Sequence, residues 1–198
     1  MNKLLFLLMV LFSINLNSQN VEIDKAAPEF SLKDRNGKTH SLADYKGKYV
    51  VLEWINFDCP FVKKHYETEN MQSLQNEFRE KGVVWLLICS SAPGKQGNFD
   101  AKEINKRLKN YKVDVNGYLI DETGEVGKMY GAKTTPHMFV IDKKGKLVYA
   151  GAIDDKPSTD KEDIKDASNY VRAALNSLMN SEVITTKVTK PYGCSVKY

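Results

Sequence analysis

The stretch "VVLEWINFDCPFVKKHY", Val50 to Tyr66, changes character halfway along. From Tyr49 to Phe57 it is nearly all apolar, β-branched or aromatic, the composition of a central strand covered on both faces. From Phe61 onward charged residues enter, and Met71, Leu74 and Phe78 follow at spacings of three and four until Gly82, so a long helix is predicted up to that glycine. Cys59 and Pro60 stand where strand becomes helix. A cysteine at that junction meets the unpaired N–H groups of a helix start and the positive end of its dipole, both of which favour the thiolate, the reactive form of the side chain. Pro60 takes the first helical position without losing a hydrogen bond. Lys63, Lys64 and His65 offer further positive charge within the next turns. The position of a second cysteine in a C-x-x-C pair holds Val62, so Cys59 is alone in its motif. The plain alternative is a small apolar residue closing a core strand.

Outward from this stretch, "EFSLKDRNGKTHSL" alternates around Asn36-Gly37 and predicts a hairpin opening the domain. "VVWLLICSS" is a second buried strand, and strand, helix, strand implies a right-handed crossover and a parallel pair. A loop, "APGKQGN", precedes a surface helix with Asp100 as candidate N-cap. "GYLID" and "HMFVID" read as strands either side of a short helix around Glu125 to Tyr130, and "DKKGKLVYAG" closes a hairpin through Lys144-Gly145. The final helix is expected to carry one apolar stripe of Ile164, Ala167, Val171, Ala174, Leu175 and Leu178. Beyond Asn180 the β-branched tail is expected to pack on the domain rather than to swing free.

The chain opens with Lys3, an apolar run from Leu4 to Ile14, and small polar residues to Asn20. That pattern predicts a secretory signal peptide over residues 1–18, cut after Ser18, with an uncleaved membrane anchor as the alternative. Residues 19–180 then form one domain and 181–198 a tail. The net charge of +4 is spread among interspersed acids and bases, which argues against a nucleic-acid footprint and leaves membrane contact to an uncleaved leader alone. Three cysteines, Cys59, Cys89 and Cys194, are too few for a disulfide scaffold, and their odd number leaves at least one free or intermolecularly paired thiol in an exported protein, periplasmic or extracellular. Cys89 reads as a buried core residue. Three histidines, His40, His65 and His137, and no C-x-x-x-C give no expectation of a dedicated metal site, and no cofactor is expected.

"VVLEWINFDCPF" with its following helix and "TTPHMFVIDKKGKLVYAG" resemble the thioredoxin-like superfamily, and the chain from Ala26 onward is similar to its alkyl hydroperoxide reductase and thiol-specific antioxidant (redoxin) family, including exported peroxiredoxin-like proteins. Further pieces of the resemblance are "SSAPGKQG", "YAGAIDDKP" and "PYGCSVKY". It implies an α/β thioredoxin-like fold, a central mixed sheet flanked by helices, with the N-terminal hairpin and the C-terminal tail packed on it. It also implies Cys59 as nucleophile, a cis bond before Pro136 with Thr135 offering backbone to a bound chain, and Glu53, six residues before the cysteine, as a buried acid that trades a proton with the sulfur or pairs with a lysine; the plain alternatives are an ordinary trans proline breaking a loop and an edge-facing, solvated glutamate. Departures from the peroxidase pattern are Asn56 where a threonine belongs, Leu52 where a proline belongs, and no arginine among Arg79, Arg107 and Arg172 in a matching stretch. With Val62 in the motif, Cys194, beside Gly193 in an exposed turn, is the candidate to resolve Cys59, the alternative being a free surface thiol or half of an intermolecular bond. Asn56, Pro60, Thr135, Pro136 and His137 make up the expected substrate side, His137 facing either the sulfur or solvent. Peroxide reduction is the leading expectation and disulfide exchange with protein substrates the second, each needing a thiol reductant; a non-catalytic module that holds an extended chain is the third.

Overall fold

The computed structural model describes residues 21–198, so the expected leader lies outside the described residues. In chain order the elements are β1 (Ser31–Asp34), β2 (Thr39–Ser41), β3 (Val50–Trp54), α1 (Pro60–Glu67), α2 (Asn70–Glu80), β4 (Val84–Cys89), α3 (Ala101–Asn110), β5 (Gly117–Ile120), α4 (Glu125–Met129), β6 (Thr134–Thr135), β7 (His137–Ile141), β8 (Leu147–Gly151), α5 (Tyr170–Met179) and β9 (Cys194–Ser195), with short 3-10 turns at Leu42–Tyr45 and Glu162–Asp166. Seven strands form one mixed sheet in the order β2-β1-β5-β4-β3-β7-β8, and β6 with β9 forms a separate two-stranded ladder. The fold is thioredoxin-like, as the resemblance implied.

β3 is central because every one of its residues is buried, so it needs neighbours on both edges and both faces. It runs parallel to β4, with Glu53 opposite Leu87, and antiparallel to β7, with Trp54 opposite His137. Alternation along β3 sends Val51 and Ile55 into one core, under α1, α2, α3 and α5, and Val50, Leu52 and Trp54 into the other, under α4 and the N-terminal segment. The expected hairpins through Asn36-Gly37 and Lys144-Gly145 are present as the antiparallel pairs β1–β2 and β7–β8. Asp100 caps α3, its side chain accepting the Glu103 N–H at 2.8 Å.

Two helices differ from the sequence expectation. The single helix predicted up to Gly82 is two, broken at Thr68 and Glu69. The Thr68 hydroxyl donates back to the Lys64 carbonyl at 2.7 Å, and Glu69 turns left-handed at φ 57°. The final helix starts only at Tyr170, where Asn169 accepts the Arg172 N–H; Ile164 and Ala167 lie ahead of it in the 3-10 turn and its exit.

Candidate active site

Cys59 is the N-cap of α1, in extended conformation (φ −71°, ψ 126°), and Pro60 begins the helix, as the strand-to-helix reading required. Its side chain has no exposed surface. The thiol donates to the Thr135 carbonyl at 3.0 Å and accepts the Cys194 N–H at 3.4 Å. The Thr135–Pro136 peptide bond is cis, and the buried Thr135 hydroxyl has no partner among the described residues. Val62 fills the core where a second motif cysteine would stand.

The tail closes this site. β9 pairs antiparallel with β6, Cys194 directly opposite Thr135. Gly193 makes the approach possible: its φ is +134°, and a Cβ there would lie 2.1 Å from the Thr135 oxygen. Cys194 is half-buried rather than exposed as its turn suggested. Its thiol is pushed up to about 12 by burial and then by the hydrogen bond it shares with Cys59.

Glu53 is fully buried on the Cys59 side of the sheet. Among the described residues no lysine pairs with it; Tyr66 OH donates to Oε1 at 2.8 Å, and Trp85 Nε1 and Gln75 Nε2 donate to Oε2 at 2.8 and 3.1 Å. Burial raises it to about 7 against the pull of those three donors. No hydrogen bond joins Glu53 to Cys59, so a proton passing between them needs an intermediary.

Several expected site residues serve elsewhere. Lys64 is buried, its ammonium donating to the carbonyls of Lys156 and Ser158 at 2.9 and 3.2 Å. His65 is buried too, and desolvation, with the Lys64 charge second, drops it to about 3, so neither residue supplies the sulfur with the charge the sequence suggested. His137 faces neither sulfur nor solvent: it packs on Phe139, ring centroids 4.4 Å apart, on the Trp54 side of the sheet, and burial lowers it to about 3. The Lys133 N–H donates to its Nδ1 at 3.2 Å, which leaves the ring proton on Nε2. Asn56 is turned into the loop, Oδ1 accepting the Asp58 N–H at 3.0 Å and Nδ2 donating to the Gln96 carbonyl at 3.2 Å. Cys89 is buried, against Ser91 and the Gly97 carbonyl.

Sequence reasoning missed two contributors. Arg107, from α3, reaches Asp58 beside Cys59 at 2.6 Å while its Nε holds Glu103 at 2.8 Å and its guanidinium stacks 4.0 Å from the Phe99 ring centre. Tyr192 links the tail to α1. Asn70 donates to His65 Nδ1 at 2.8 Å, so His65 Nε2–H donates to the Tyr192 oxygen at 3.2 Å, and the phenol donates to Asp154. Only the i+4 spacing of Glu103 and Arg107 was visible in advance. Among the described residues no three His, Cys, Asp or Glu side chains are grouped to hold a metal ion.

The family model described as the AhpC/TSA family matches residues 23–150, which takes in Glu53, Cys59 and Pro136 and stops before the tail. The thiol-disulfide oxidoreductase ResA of Bacillus thuringiensis subsp. konkukian is 34% identical over 133 residues, 66% of this chain and 69% of that protein. An uncharacterized conserved protein from Geobacillus kaustophilus, known as a crystal structure, is 31% identical with a TM-score of 0.75, covering 89% of this chain and 92% of that one. The thioredoxin domain of a thiol-disulfide oxidoreductase from Bacteroides vulgatus shares the fold at 24% identity and a TM-score of 0.52, over 66% of this chain and 89% of that domain.

Proposed function

The chain belongs to the AhpC/TSA family, and from that premise we propose that it exchanges thiols for disulfides, with Cys59 as nucleophile and Cys194 as resolving thiol. The observation that carries this reading is the Cys194 N–H resting on the Cys59 sulfur within the β6–β9 ladder, because it puts two thiols of one chain within reach of each other. The similarity to a protein named thiol-disulfide oxidoreductase favours exchange over peroxide reduction, which ranked first on sequence. The donors favour it too. Peroxide cleavage needs donors aimed at both oxygens in line with the thiolate, whereas Arg107 is spent on Asp58 and the Asn56 amide on Gln96.

In the first step the Cys59 thiolate attacks one sulfur of a protein disulfide. That S–S bond breaks, a Cys59 mixed disulfide forms, and the other substrate sulfur leaves as a thiolate and takes a proton. Cys59 then no longer bears the charge that helps to hold the proton on Cys194, so Cys194 deprotonates more readily. Its thiolate attacks the Cys59 sulfur, expels the second substrate thiolate and leaves a Cys59–Cys194 disulfide. Two electrons and two protons have passed to the substrate, and an external dithiol returns the enzyme to its starting state. The leader pattern of residues 1–18 supports an exported setting, where substrate disulfides persist.

The test uses a peptide carrying a disulfide, incubated with the reduced Cys194→Ser protein and with the unaltered protein. The variant should accumulate a mixed disulfide at Cys59 and the unaltered protein an internal Cys59–Cys194 bond, both read by peptide mass spectrometry. If neither species forms while hydrogen peroxide drives the internal bond, peroxide reduction replaces this reading.

A further inference from the structure

In the reduced chain Cys59 has no exposed surface, and the protein's own tail lies against its sulfur, the Cys194 N–H donating to it at 3.4 Å. The tail lies as an extended strand across the β6 edge. Cys194 sits opposite Thr135, Val196 N–H donates to the Lys133 carbonyl at 3.1 Å, and Ala92 N–H donates to the Lys197 carbonyl at 2.8 Å. An incoming extended chain that carries a cysteine to Cys59 needs the same edge and the same space over the sulfur.

The tail is held at three places. Near its root the Thr189 hydroxyl accepts the Ala152 N–H at 2.8 Å and lies 2.7 Å from the Tyr149 phenol, and Tyr192 sits between His65 and Asp154. At its end Tyr198 donates to the Ala132 carbonyl at 2.7 Å, its ring lying over two bare glycine Cα atoms; a Cβ on Gly124 or Gly127 would come within 2.4 or 2.7 Å of ring carbons. Between root and end stands Gly193, whose left-handed φ no other residue type adopts easily. The root is bound by buried partners, whereas the end is 39% exposed at Tyr198.

We infer that residues 193–198 are a self-docked strand occupying the groove meant for an extended, cysteine-bearing polypeptide, and that such a partner reaches Cys59 only when this strand leaves β6 while the root stays in place. The masking follows from geometry alone; only the nature of the partner rests on the exchange reading. Reduced chain alone is therefore closed, and a partner competes with a tethered strand of the same shape.

The experiment measures alkylation of Cys59 by iodoacetamide in the reduced protein, resolved from Cys194 by peptide mass spectrometry, in the full chain, in Cys194→Ser, in Gly193→Ala, and in a chain ending at Tyr192. The full chain and Cys194→Ser should be protected, and the shortened chain should react on the order of 100-fold faster, as a local opening equilibrium of that size imposes. Gly193→Ala should also react faster, which serves the test if the shortened chain fails to fold. Equal rates in all folded forms overturn the inference. A shortened chain that alkylates fast yet forms no mixed disulfide with a peptide disulfide supports the masking and counts against exchange, so the two readings fail separately.

Discussion

Tyr66 OH donates to Glu53 Oε1 at 2.8 Å, and the partners of that buried carboxyl are all neutral: this phenol, the Trp85 indole and the Gln75 amide. Such a group is stabilised by hydrogen bonds yet penalised as an ion, and burial wins, raising it from 4.5 to about 7. Above pH 4.5 the unfolded chain releases this proton while the native chain keeps it. The stability it contributes is therefore full below pH 4.5 and is lost as pH rises to about 7. The loss is roughly 3 kcal/mol by the conversion of pKa difference into free energy. Glu53→Gln stays neutral, so it should gain on the unaltered protein by an amount of that order at pH 8 and show a flatter profile. Urea unfolding at pH 4.5, 6 and 8 checks this; parallel curves for the two proteins would refute it.

His65 and His137 pull the other way. Both are buried and lowered from 6.5 to about 3, so as pH falls the unfolded chain binds protons that the native chain refuses. Their contribution is complete above pH 6.5 and is lost on the way down. Replacing either with asparagine, whose carbonyl accepts where Nδ1 does, should reduce the acid-side slope by about 1.4 kcal/mol per pH unit. Guanidinium unfolding between pH 4 and 6 measures the slope, and no change in either variant would mean that the rings are charged in the native state.

Tyr192→Phe removes one hydroxyl and strands the buried His65 Nε2–H. Asp154 Oδ1 loses its phenol donor and keeps only the Lys156 N–H at 3.0 Å, while Asp154 Oδ2 has no partner among the described residues. The expected cost is about 1–3 kcal/mol of stability. A shift of the denaturant midpoint without change of slope would register it; a variant as stable as the parent would show that the tail root is held by Thr189 alone.

Val62→Cys puts a thiol one helical turn from Cys59, in a buried position that tolerates a small apolar side chain at a cost of about 0.5–1.5 kcal/mol. Combined with Cys194→Ser, it should restore an internal disulfide after reaction with a peptide disulfide and abolish the trapped intermediate. Persistence of the mixed disulfide in the double variant would show that the motif geometry, and not the missing sulfur, forbids closure.

How far the sequence carried the fold follows from the range of the interactions. The β3-to-α1 junction was legible because burial on both faces, the cysteine N-cap and the proline are contiguous, and the Asn36-Gly37 and Lys144-Gly145 hairpins because their turns are local. The helix break was not, since the Thr68 back-bond competes with an apolar spacing that continues across it. The side of the sheet that His137 faces follows from the register of β7 on β3, which no local signal sets. Arg107 reaches Asp58 across 49 residues and Cys194 reaches Cys59 across 135. For the tail, Gly193 was the local hint, and only the strand it admits gave it meaning.

The indole of Trp85 shares its proton with a carboxyl that titrates near neutrality, whereas the other tryptophan, Trp54, lies on the opposite face and donates to Ser90 Oγ at 3.0 Å. The molecule should thus hold a built-in optical indicator: in a Trp54→Phe background the remaining emission is expected to follow the charge on Glu53, so light would report the state of an acid that solvent cannot touch.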